Sequence, residues 1–147
     1  MYDSCLKKQR EITELFLACP TQEAKYEKII ELGKNQVPFT ESDLHSDYLV
    51  SGCQSQVSIR TSWGSDETVV FDLRSDALIS AGLGALLTRV YSGESPEVIL
   101  KCPPTYLDEI GINESLTPNR ASGLYSIHLR MKQDALKMIM EKDKDKK

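Results

Sequence analysis

One cysteine of the chain stands in a setting that suits chemistry at its thiol. Cys53 follows a glycine, Gly52, and small polar residues separate it from Val57, where an alternating run begins. A structural cysteine usually has apolar neighbours along the chain, because it packs as a small hydrophobe. Gly52 leaves the backbone free to take a conformation that other residues resist. The pattern therefore predicts a thiol on a mobile loop that precedes a strand, within reach of another molecule.

A thiol acts as a nucleophile in its thiolate form, which a nearby cation or helix N-terminus favours. Arg120 is the candidate cation for Cys53, because it lies in the first turn of a predicted helix, where the helix dipole disfavours positive charge. A residue placed against its local preference suggests a functional role. Two structural alternatives stay open: a surface arginine, or an arginine that pairs with a carboxylate such as Asp76.

The other three cysteines are spread along the chain. Cys5, Cys19 and Cys102 form no C-x-x-C pair and no tight cluster with a histidine. Structural zinc sites usually take paired ligands at short spacing, so we expect no metal site. Cys19 falls on the apolar face of the first predicted helix and is predicted to be a core thiol. Cys102 is predicted to lie in a loop or in the core.

The two histidines allow a second kind of thiol chemistry. His45 lies in a polar loop, where a solvated side chain is the simpler interpretation and a base acting on Cys53 is the alternative. His128 falls on the apolar stripe of the last predicted helix, which favours a partly buried histidine over a ligand. A Cys–His hydrolase or transferase would need a histidine close to the cysteine and an oxyanion hole.

The composition is that of an ordinary globular domain. With 147 residues, 40% of them hydrophobic and 27% charged, residues 1–147 are predicted to form one domain with a substantial core. A net charge of −4 argues against a nucleic-acid surface. Residues 1–8 lack the apolar core of a signal peptide and no run reaches membrane-spanning length, so we expect a cytoplasmic protein with reduced thiols. The charged run 141–147 is expected to be a frayed helix end.

The predicted fold class is α+β, with Cys53 between helices and a small sheet. Three short runs favour strands, which would form an antiparallel sheet with one face covered by helices. Helix 75–91, with Ser75 as N-cap and Asp76 in its first turn, is apolar almost all round, which is typical of a buried central helix. Its glycines would allow close approach to the sheet. Strands are predicted over 48–50, 56–63 and 68–74, and the other helices over 4–18, 22–34, 95–101, 105–112 and from 117 onward. Thr21 and Thr117 are the predicted N-caps of the second and the last helix.

The loop G-C-Q-S-Q-V, residues 52–57, resembles the active-cysteine loop of SufE, the sulfur-acceptor protein of iron–sulfur cluster assembly. Further segments match that family in the family's order and cover nearly the whole chain. One departure is Ser58, where the family commonly carries a tryptophan. The other matching segments are residues 25–33, 75–79, 116–120 and 123–124.

The resemblance implies a sulfur carrier. A pyridoxal-phosphate cysteine desulfurase, SufS or a relative, would pass a persulfide to Cys53, and this protein would stimulate the desulfurase by removing it and relay the sulfur to a cluster scaffold. The chain has no Gly-rich phosphate loop and no lysine in a recognisable pyridoxal context, so we expect no cofactor and no stand-alone enzyme. Whether the protein is a monomer or a homodimer stays open.

The resemblance also implies roles for residues around the thiol. The arginine of the family's L-T-P-x-R motif lies in the active-site region, which supports Arg120 as a residue that assists Cys53. Asp76, in the matching S-D-A segment, would be a helix-start residue that tunes the loop. The residues that would fix the loop or meet the partner are Gly52, Gln54, Ser55 and Gln56.

An iron–sulfur scaffold is the main alternative function, since the SufE fold is similar to that of IscU-type scaffolds. A scaffold needs several ligands that converge on the metal. In this chain only Cys53 sits in a presentable loop, which favours the carrier.

Overall fold

The computed structural model describes residues 2–36, 45–53, 55–112 and 116–145. Its elements are α1 (Asp3–Leu17), α2 (Gln22–Lys34), β1 (Val57–Trp63), β2 (Val69–Ser75), α3 (Leu78–Tyr91), α4 (Pro96–Lys101), α5 (Thr105–Glu109) and α6 (Pro118–Asp145). Short 3-10 helices cover Ser46–Tyr48 and Ser65–Glu67. In the described part of the chain, no helix has the length and apolar character needed to cross a membrane.

The sheet has two strands over the described residues, and the predicted third strand at 48–50 is not confirmed. β1 and β2 pair antiparallel from Val57 opposite Ser75 to Trp63 opposite Val69. Residues 46–48 instead form a 3-10 helix, and only Leu49 bridges to β1. The Leu49 carbonyl accepts a hydrogen bond from Arg130 Nη1 of α6 at 2.7 Å, which ties this segment to the last helix.

Helix α3 is the centre of the fold, as its sequence predicts. Ten of its 14 residues are buried, because α2, β2 and α6 surround it. Gly84 meets the sheet, since a Cβ there would lie 2.3 Å from Leu73 of β2. Gly82 was also expected to approach the sheet, but it faces α2: a Cβ there would lie 2.1 Å from the carbonyl oxygen of Ile29. Two helix backbones therefore touch at Gly82.

The start of α3 differs from the prediction. Ser75 is the last residue of β2, held there by its pairing with Val57, so it is not the N-cap. Its Oγ accepts from the Ala77 amide at 3.2 Å and donates to the Gln56 carbonyl at 3.0 Å. The helix begins at Leu78, which leaves Asp76 outside its first turn.

The other caps follow the local sequence. Thr21, Ser95 and Thr117 each accept a hydrogen bond from an amide three residues on, as expected of N-cap side chains. The last helix continues to Asp145. Most of the charged run predicted to be a frayed end is therefore helical, and Lys142 within it pairs with Glu67 at 2.5 Å.

Candidate functional site

Cys53 is half-buried and faces a cavity of about 170 Å³ at the start of α6. Its Sγ–H donates to the carbonyl oxygen of Gly123 at 3.7 Å. The sequence predicts a loop thiol within reach of another molecule, and in the structure the loop folds back onto α6, which covers part of the thiol. The other residues that line the cavity are Ser55, Val57, Ala77, Ile79, Ser80, Leu83, Asn119, Arg120, Gly123 and Ile127.

Gly52 allows the loop to lie against α6. Its φ is +90°, in the left-handed region that favours glycine. A Cβ at this position would lie 2.5 Å from Ser126 Oγ. Glycine is therefore required twice at Gly52, for its backbone conformation and for the space beside α6.

Burial raises the pKa of the Cys53 thiol above its ordinary value of 9.0. A thiol out of water favours its neutral form, since the thiolate loses hydration. Arg120 lines the same cavity, but its guanidinium lies over the Tyr26 ring of α2, 5.4 Å from the ring centroid. In this arrangement the thiol is protonated at neutral pH and donates a hydrogen bond to the Gly123 carbonyl.

A second cavity, of about 440 Å³, adjoins the first at Ala77. Gln56 and Asp76 line this second cavity and not the cavity of Cys53. Ser58 lines it as well and is 5% exposed, so the position where the family commonly carries tryptophan borders open space. Asp76 contacts the described part of the loop through its backbone amide, which donates to the Gln56 carbonyl at 3.4 Å. Gln54, the other predicted loop contact, lies outside the described residues.

The histidines lie elsewhere. His45 is exposed, with its Nδ1 accepting from the Asp47 amide at 3.1 Å. His128 is 9% exposed and stacks on Tyr91, with ring centroids 5.3 Å apart. The described lining of the Cys53 cavity contains neither of them, so this geometry gives the Cys–His hydrolase or transferase no support.

Two of the remaining thiols are sealed in the core. Cys5 and Cys102 are 0% and 2% exposed, and both accept from Gln9 Nε2, at 3.7 and 3.6 Å. Burial, together with its hydrogen bond to Cys102, raises the pKa of Cys5 to about 12. Cys19 was expected in the core but is only half-buried, because the buried face of α1 ends at Phe16. Across the described ranges, no three His, Cys, Asp or Glu side chains gather in a way that could hold a metal ion.

These environments predict a pattern of thiol modification. Alkylation of the folded protein with N-ethylmaleimide should label Cys19 and Cys53, whereas Cys5 and Cys102 should react only after unfolding, since they are buried and Cys5 is protonated. Peptide mass mapping before and after addition of guanidinium measures this pattern. Labelling of Cys5 or Cys102 at the rate of Cys19 in the folded protein would contradict it.

The geometry thus defines a mixed helix–sheet domain that presents one cysteine, beside one arginine, in a surface cavity. A family model described as SufE, Fe-S metabolism associated domain, matches residues 10–135. The chain belongs to the SufE family, which confirms the resemblance seen in its sequence and places it in iron–sulfur metabolism.

Individual relatives agree with this assignment. The chain is 33% identical over 138 residues to SufE-like protein 1, chloroplastic/mitochondrial, of Arabidopsis thaliana; the match covers 94% of this chain and 37% of that protein. It is 34% identical over 125 residues to an uncharacterized SufE-like protein of Synechocystis, covering 85% and 78% of the two chains. The solution structure of a hypothetical protein from Thermus thermophilus superposes with a TM-score of 0.74 at 24% identity, covering 90% of this chain and 96% of that one, which shows a shared fold.

Sequence reasoning found Cys53, Gly52, Ser55 and Arg120, which the structure brings to one place. It did not point to two further polar residues of the cavity, Ser80 and Asn119, or to Tyr26, whose ring lies under the Arg120 guanidinium. In the sequence, Tyr26 falls on the inward face of the second helix, where packing in the core is the ordinary expectation. No feature of the neighbouring residues indicates its contact with Arg120.

Proposed function

We propose that this protein accepts persulfide sulfur on Cys53 from a cysteine desulfurase of the SufS type, stimulates that enzyme by removing the sulfur, and relays it to an iron–sulfur scaffold. The observation that carries the proposal is the setting of Cys53: a half-buried thiol that faces a cavity at the protein surface. Membership in the SufE family and its link to Fe–S metabolism support it.

The transfer is a thiol–persulfide exchange. The Cys53 thiolate attacks the outer sulfur of the donor persulfide, the donor's S–S bond breaks, and a new S–S bond forms at Cys53. The donor leaves as a thiolate and takes up the proton that Cys53 lost, so sulfur moves with no net oxidation. A thiol of the next acceptor removes the sulfur from Cys53 by the same exchange.

The cavity suits the product of this step. At about 170 Å³ it has room for one more sulfur atom on Cys53, given that a water molecule takes about 30 Å³ of liquid volume. Among the lining residues that the structure describes, Arg120 is the charged partner available to a persulfide anion. Among the residues that the structure describes, Sγ makes one weak bond, to the Gly123 carbonyl, so movement of Cys53 out to a donor would break little.

Substituting Cys53 with serine should abolish sulfur acceptance and leave the fold intact, because the hydroxyl replaces only the reacting atom. Intact mass after incubation with a cysteine desulfurase, pyridoxal phosphate and cysteine should show a reducible gain of one or more sulfur atoms in the wild type alone. Cys19→Ser is the matched control, a half-buried thiol outside the cavity, and it should gain sulfur like the wild type. If the Cys53→Ser variant stimulates the desulfurase as strongly as the wild type, the proposed relay of sulfur through Cys53 is refuted.

The same protein preparation can be used to distinguish an iron–sulfur scaffold from a sulfur carrier. Anaerobic reconstitution with iron and sulfide should leave the carrier without visible colour, because its other described thiols lie in the core or at the end of α1. A coloured, Cys53-dependent product would favour the scaffold.

A further inference from the structure

Arg120 of α6 contacts an aromatic ring of α2. It lies in the first turn of α6, and its guanidinium sits over Tyr26 of α2, 5.4 Å from the ring centroid. A cation over an aromatic face at this distance is attracted by the ring quadrupole. The contact therefore offsets the unfavourable position of a cation at a helix N-terminus.

The same arginine shares a cavity with Cys53. Of the lining residues that the structure describes, these two alone carry titratable or charged groups. A guanidinium close to the sulfur would favour the thiolate. The thiol instead has the character of a neutral group: it donates a hydrogen bond to the Gly123 carbonyl, and burial raises its pKa. The charge of Arg120 is directed to Tyr26.

We propose that Tyr26 is a positioning residue that holds Arg120 over its ring and keeps the guanidinium off the Cys53 sulfur until sulfur is transferred. Release of Arg120 from the ring brings its charge to the sulfur when that sulfur becomes anionic. The second half of this inference rests on the proposed function, whereas the hold of Tyr26 on Arg120 in the free protein does not.

The test is the alkylation rate of Cys53 as a function of pH, in a Cys19→Ser background so that one accessible thiol remains. Tyr26→Leu should raise the rate at neutral pH roughly two- to fivefold, the change in population that corresponds to loss of an exposed cation–π contact. The pH midpoint of the reaction should fall, a change that loosened packing alone does not produce. Tyr26→Phe keeps the ring and should restore the wild-type rate.

A double variant tests whether Arg120 causes the rate increase. Arg120→Gln added to Tyr26→Leu should remove the gain, because the cation that reaches the sulfur is gone. Arg120→Lys, with Tyr26 intact, is the conservative control: an ammonium is also attracted to an aromatic face, so the rate should stay near that of the wild type. Circular dichroism checks that each variant is folded.

An unchanged or slower rate in Tyr26→Leu, or a gain that persists in the double variant, overturns the proposal. Alkylation needs no desulfurase, so this result is independent of sulfur transfer. A rate increase together with a Cys53 that accepts no sulfur would leave the hold of Tyr26 standing and refute the proposed function.

Discussion

Gly82→Ala should lower the free energy of unfolding by about 3 kcal/mol, the upper part of the range for overpacked sites. The added Cβ would lie 2.1 Å from the carbonyl oxygen of Ile29 and 2.7 Å from its carbonyl carbon. These are backbone atoms of α2, so no side-chain rotation relieves the clash and the two helices must separate. Urea denaturation followed by circular dichroism measures the loss.

Gly123→Ala is the matched control for this substitution. Gly123 also lies within a helix, but a Cβ there would meet only Cys53 Sγ, at 3.9 Å, an ordinary contact distance. Replacing a helical glycine with alanine then stabilises the helix by about 1 kcal/mol. The same change is thus expected to have opposite signs at the two sites. Equal effects would show that the contact between α2 and α3 is looser than described.

Acidification should destabilise the protein through His128. Burial, and to a smaller extent the charge of Lys132, lowers the pKa of His128 from its usual 6.5 to about 4. Its Nε2 is buried and finds no hydrogen-bond partner among the described residues, so a proton there would be poorly stabilised. The unfolded chain binds that proton near pH 6.5 and the folded chain only near pH 4. Stability should therefore fall between these values, by about 3 kcal/mol in total.

His128→Phe should remove this part of the acid sensitivity, since phenylalanine keeps a ring against Tyr91 and takes up no proton. The comparison is the free energy of unfolding of both proteins from pH 7 to pH 4. His45→Gln, at an exposed histidine, should keep the wild-type profile. A slope between pH 6.5 and 4 that is the same in His128→Phe and the wild type would contradict the assignment.

What the sequence predicts well here is what a few neighbouring residues decide. Thr21 and Thr117 cap their helices because the capping bond spans three residues, and the apolar character of α3 marks it as central. The predicted third strand is not confirmed: Leu49 makes an isolated bridge to β1, and its carbonyl bonds Arg130, which lies 81 positions along the chain. The N-cap at Ser75 is wrong because pairing with β1 extends the strand by one residue.

The same distinction holds at the site. Cys53 stands out because its own neighbours are polar and small, whereas its environment depends on α6, which no local pattern connects to it. The sequence therefore leaves open whether the thiol is exposed, and the structure places it half-buried against α6. Asp76 and Arg120 both lie near the loop, but the fold assigns them to different cavities. The contact between Tyr26 and Arg120 joins two helices that are far apart in the chain, so only the folded structure reveals it.

The sealed pair around Gln9 has a consequence for a protein that handles reactive sulfur. Sulfur bound to one thiol can exchange onto any other thiolate it can reach, so each accessible cysteine is a competing destination for the cargo. Folding withdraws Cys5 and Cys102 from that competition by excluding the donor and, at Cys5, by suppressing the thiolate. Of the four cysteines, Cys19 is then the one that can still compete with Cys53 for the transferred sulfur. The core therefore contributes to the fidelity of delivery without touching the cargo.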